Sequence, residues 1–113
     1  MVYDTAHKLA EELKVSEEYV TYAAAREQAM ENATTRALID EYNKLQIRAQ
    51  AALISGDREN ESVKKLQKIG ELLQFDQTAS AYLMAEFRLK RALGDVYKIL
   101  ADAVDVDLGA LEG

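Results

Sequence analysis

Apolar residues recur at steps of three and four along almost the whole chain, and no stretch shows the alternation of β-branched and polar residues that marks a strand. Five helices are predicted. The first covers about Thr5 to Leu13, with Asp4 as its N-cap and Ala6, Leu9, Ala10 and Leu13 as its stripe. Ser16 caps a second helix that opens on Glu17 and Glu18, where the helix dipole favours acids, and ends near Glu31. Its inward face is Tyr19, Val20, Ala23, Ala24 and Met30. After a stop across Asn32 to Thr35, a third helix runs from about Arg36 to Ile54 on Leu38, Tyr42, Leu45, Ala49 and Ala52. Residues 55–60 form the clearest loop, with Gly56 suited to end a helix and Asn60 to begin one. The fourth helix reaches about Leu73 on Val63, Leu66, Ile69 and Leu73, and Asp76 caps the fifth, from about Gln77 to Val104. At 1.5 Å per residue that last helix is about 40 Å long.

The fifth helix carries two apolar stripes. Ala79, Tyr82, Glu86, Leu89, Leu93, Val96, Leu100 and Ala103 form one; Leu83, Phe87, Gly94, Tyr97, Ala101 and Val104 lie beside it. A helix apolar on two adjacent faces needs two partners. The short loop makes its flanking helices antiparallel neighbours. A hairpin centred on Arg58 pairs residues whose numbers sum to about 116, so that Leu45 faces Glu71 and Leu72, Leu38 faces Thr78 and Ala79, and Val20 faces Val96. The expectation is an all-α fold: one domain over residues 1–113, a long antiparallel helical hairpin or bundle of about five helices, with a flexible acidic tail from about residue 105. A thin core and a wide apolar helix predict a homodimer. The candidate interface residues are Tyr82, Leu83, Glu86, Phe87, Leu89, Leu93, Val96, Tyr97 and Leu100. Glu86 interrupts the first stripe, and a carboxylate buried there needs a partner. Arg26, Arg36, a tyrosine hydroxyl or a group from a second chain are the candidates; the alternative is that Glu86 lies at the solvated margin of a coarse stripe.

Composition narrows the chemistry. The chain holds no Pro, Cys or Trp, five Gly and one His. Without cysteine there is no disulfide, thiolate metal site or cysteine nucleophile. Asp4 and His7, three apart, make half of an acid-x-x-His pair of the kind di-iron bundles use twice, together with two further glutamates. A metal-binding bundle enzyme is therefore the remotest reading, and it requires a second copy to complete the set. No glycine-rich phosphate loop occurs, and Ser16, Ser55 and Ser62 sit where backbone capping explains them. The expectation is a protein that is not an enzyme and holds no cofactor. Of the six tyrosines, Tyr42, Tyr82 and Tyr97 fall at core or interface spacing rather than on a base-stacking surface.

The net charge of −6 argues against a general binder of nucleic acid or anionic membranes. Residues 1–32 carry seven acids against three bases, and residues 99–113 carry four acids and no base. The middle of the chain holds the basic groups Lys64, Lys65, Lys68 and Arg88, Lys90, Arg91. They read first as solvated faces. Their alternative use is contact with RNA. No signal peptide and no apolar run of membrane-spanning length is found, which predicts a cytoplasmic protein.

The run Glu41-Tyr-Asn-Lys-Leu-Gln-Ile-Arg-Ala-Gln50, then Ser55-Gly-Asp57, then Tyr82-Leu-Met-Ala-Glu86 and its continuation to Ala103 resemble the YlbF/YmcA-like family of small bacterial helical proteins. The likeness is greatest to its YheA-like branch and covers about Ala6 to Val104. It implies long helices, self-association and a cytoplasmic, Gram-positive setting. It further implies a regulatory accessory role, since YlbF and YmcA act with a further protein on competence, biofilm formation, sporulation and RNA processing by a membrane-anchored endoribonuclease. Some relatives hold an iron–sulfur cluster on C-terminal cysteines. This chain has none, so that property does not carry over. The function expected is that of a non-catalytic helical adaptor working through protein–protein contacts.

Overall fold

Side-chain oxygens set most helix starts. In the computed structural model, residues 1–57 and 60–105 are described, and they form five α-helices with no strand among them. These are α1 (Asp4–Lys14), α2 (Glu17–Glu31), α3 (Ala33–Ile54), α4 (Glu61–Gln74) and α5 (Gln77–Val104). Ser16 Oγ accepts from Tyr19 N at 3.3 Å and opens α2, while Asn60 Oδ1 accepts from Ser62 N at 2.8 Å and opens α4. Asp76 Oδ1 accepts from Thr78 N and Ala79 N, both at 3.1 Å, and opens α5. Each bond satisfies a backbone N–H that the first helical turn leaves unpaired.

Two starts differ from the sequence expectation. Tyr3, not Asp4, is the N-cap of α1, and it makes no side-chain cap bond. Asp4 is already helical, and its charge acts on the dipole instead. Helix α3 begins at Ala33 rather than near Arg36, because Asn32 Oδ1 alone caps it, accepting from Thr34 N at 2.9 Å and Thr35 N at 3.1 Å. The end of α3 follows the expected glycine. Gly56 has φ +87°, Asp57 N donates to Ala52 O at 2.8 Å and Gly56 N to Leu53 O at 3.1 Å. This Schellman arrangement needs a left-handed residue, which glycine supplies without a Cβ clash. Helix α5 stops where Asp105 takes φ +53°.

The chain divides into two compact units, Ala23–Leu83 and Met1–Tyr22 with Met84–Gly113. In the first, α3 and α4 pack on each other across the short connection. Ile39, Leu45, Ala49, Ala52 and Leu73 are buried there, with Ala29, Ala79 and Tyr82. Thr35, expected in a stop, is a buried residue of α3, and its hydroxyl donates to Asp76 Oδ2 at 2.7 Å. This hydrogen bond lies more than a helical turn off the 116 register.

In the unit made from Met1–Tyr22 and Met84–Gly113, Ala85 is the one fully buried apolar residue among those described. Leu9 and Leu13 of α1 are half-buried, while Ala6 and Ala10 are exposed. On α2 the expected inward Val20 and Ala24 are exposed; Tyr22 is half-buried in this unit, and Ala25 and Ala29 are covered in the other. The alanines of α2 occur on every side of the helix, so periodicity alone does not resolve its face. The expected tail lies at residues 106–113, outside the described residues.

Candidate functional site

The first stripe of α5 loses its cover along the helix. Ala79 and Tyr82 are buried in the Ala23–Leu83 unit. Beyond Met84, Glu86, Leu89, Leu93 and Val96 are half-buried, and Leu100 is 51% exposed. The second stripe is open at half of its positions: Leu83, Gly94 and Ala101 are half-buried, whereas Phe87 is 63% exposed, Tyr97 49% and Val104 66%. Every sequence-predicted interface residue thus lies on α5, but their cover differs. Tyr82 is a core residue, whereas Phe87, Tyr97 and Leu100 present large apolar surface to solvent. Tyr97 is therefore not the core residue its spacing allows.

The cation found beside Glu86 lies on its own helix. Glu86 Oε1 accepts from Lys90 Nζ at 3.0 Å, one turn along. The Glu86 side chain is 21% exposed and that of Lys90 73%, so water reaches the pair. Such i,i+4 pairs contribute a few tenths of a kcal/mol. Glu86→Ala is accordingly expected to change stability by no more than about 0.5 kcal/mol in urea denaturation. A loss of several kcal/mol would reveal a buried partner for this carboxylate.

A cleft of about 190 Å³ lies between α2 and α5, lined by Glu17, Glu18, Thr21, Ala85 and Arg88. Its position shows that the start of α2 lies beside Ala85 and Arg88, not opposite Val96 as the 116 sum requires. A constant sum presumes two unbroken arms of equal rise, and the breaks at Asn32 and Phe75-Asp76 interrupt both. The cleft is smaller than the roughly 300–1,000 Å³ that small-molecule sites occupy. Sequence reasoning assigned its acids to the helix dipole and Arg88 to a solvated face, and no spacing signal joins them.

The remaining candidates lie on three different helices. Lys64, Lys65 and Lys68 are exposed on α4, with Lys65 Nζ 3.2 Å from Glu61 Oε1. Arg88, Lys90 and Arg91 are exposed on α5. His7 and Asp4 are exposed on α1, and among the described residues no three His, Cys, Asp or Glu side chains converge as metal ligands. No described helix is long and apolar enough to cross a membrane. The geometry is that of a helical surface with an open apolar stripe.

Comparison with known proteins agrees with that character. A UPF0342 protein of Symbiobacterium thermophilum is 41% identical over 108 residues, covering 95% of this chain and 96% of its own length. UPF0342 proteins of Clostridium tetani and Halothermothrix orenii are 34% and 32% identical, each covering 95% of this chain and 93% and 92% of their own. The family described as "Control of competence regulator ComK, YlbF/YmcA" matches residues 2–105. With nearly its whole length matched, this all-α chain belongs to the YlbF/YmcA family of regulator-control proteins.

Proposed function

We propose that the chain is a non-catalytic helical adaptor, working in the cytoplasm as a single-domain homodimer through protein–protein contacts along α5. The observation that carries this reading is the apolar surface left open at Phe87, Tyr97 and Leu100. Exposed apolar stripes of that kind mark contact surfaces rather than reaction centres. The family description speaks of control of a competence regulator, a task that binding alone accomplishes. The small cleft beside Arg88 offers no room for a typical substrate.

Affinity purification of the full chain from its native host, with nuclease treatment before mass spectrometry, tests the reading. A protein retained after nuclease supports it. Retained RNA that is lost steeply with added salt overturns it in favour of an RNA-associated factor using Lys64, Lys65, Lys68, Arg88 and Arg91. Light scattering at micromolar concentration tests self-association: the expected mass is twice 12.6 kDa. A monomer there overturns the dimer.

A further inference from the structure

We draw no further inference here: the strongest candidate, the cleft of about 190 Å³ that Glu17, Glu18 and Thr21 at the start of α2 form with Ala85 and Arg88 of α5, carries nothing, because it is a helix N-terminus with two exposed acids and an exposed arginine, and nothing in the structure shows what fills it.

Discussion

Replacing Leu45 by alanine is expected to destabilise the protein by about 3–4 kcal/mol. Leu45 is 2% exposed on α3, the helix that packs against α4. Removing its three outer carbons forfeits their transfer energy and leaves a cavity that close-packed neighbours fill only in part. Those neighbours sit on rigid helices and have little freedom to collapse inward. Ile47 lies two positions along the same helix and is 70% exposed. Ile47→Ala should therefore change stability by no more than about 0.5 kcal/mol. Urea denaturation of both variants checks the contrast. A Leu45→Ala loss below about 1 kcal/mol would mean that α3 does not bury this face.

Asp76→Ala is expected to cost about 2–3 kcal/mol near neutral pH. One carboxylate serves two roles. Oδ1 caps α5 through Thr78 N and Ala79 N, and Oδ2 accepts from the buried Thr35 hydroxyl. Loss of a cap costs about 1 kcal/mol, and stranding a buried hydroxyl about 1–3 kcal/mol more. The Thr35 hydroxyl, followed by the Ala79 amide, holds this carboxyl below the usual aspartate range, with partial burial opposing them. Because the folded-state pKa is depressed, the charge contributes stability above the unfolded value near 3.9, and that contribution is lost as pH falls through the lower folded value. The penalty of Asp76→Ala should thus shrink below about pH 4. Asp76→Asn keeps an oxygen for the cap and should cost less than alanine at pH 7. Denaturation of the three chains at pH 7 and pH 3 measures both effects. An Asp76→Ala penalty unchanged at pH 3 would show that the charge of the carboxylate is irrelevant.

Local features were legible because their causes are local. Ser16, Asn60 and Asp76 were readable as caps, since each bonds an amide only two or three residues away. Gly56 was readable for its left-handed backbone, and α5 has the expected limits. The family, too, was legible in the order of its helical segments. What failed needed distance. Thr35 read as part of a stop because its stabilising partner, Asp76, lies on another segment. Ile39 was absent from the expected face of α3, although it is 1% exposed, because Leu38 beside it fits the three-four spacing equally well. The 116 register treated both arms as unbroken and so misplaced Val20. For Glu86 the spacing left a distant cation, a tyrosine hydroxyl, a second chain and a solvated margin all open, and it overlooked Lys90, four residues along the same helix. The open stripe of α5 was visible in outline, but which of its residues lack cover depends on where the other helices end.

The unequal burial of the two units has a consequence in time. Backbone amides of α3, behind Ile39, Leu45 and Ala49, are expected to be among the slowest to exchange their hydrogens with solvent. Those of α1, which has no buried residue, are expected to exchange through local openings, without unfolding of the Ala23–Leu83 core. Hydrogen exchange is therefore expected to be faster in α1 than in α3, and equal rates would show that the two units open together. Any helix that binds only the closed form of the unit holding α1 slows that exchange in proportion to its concentration.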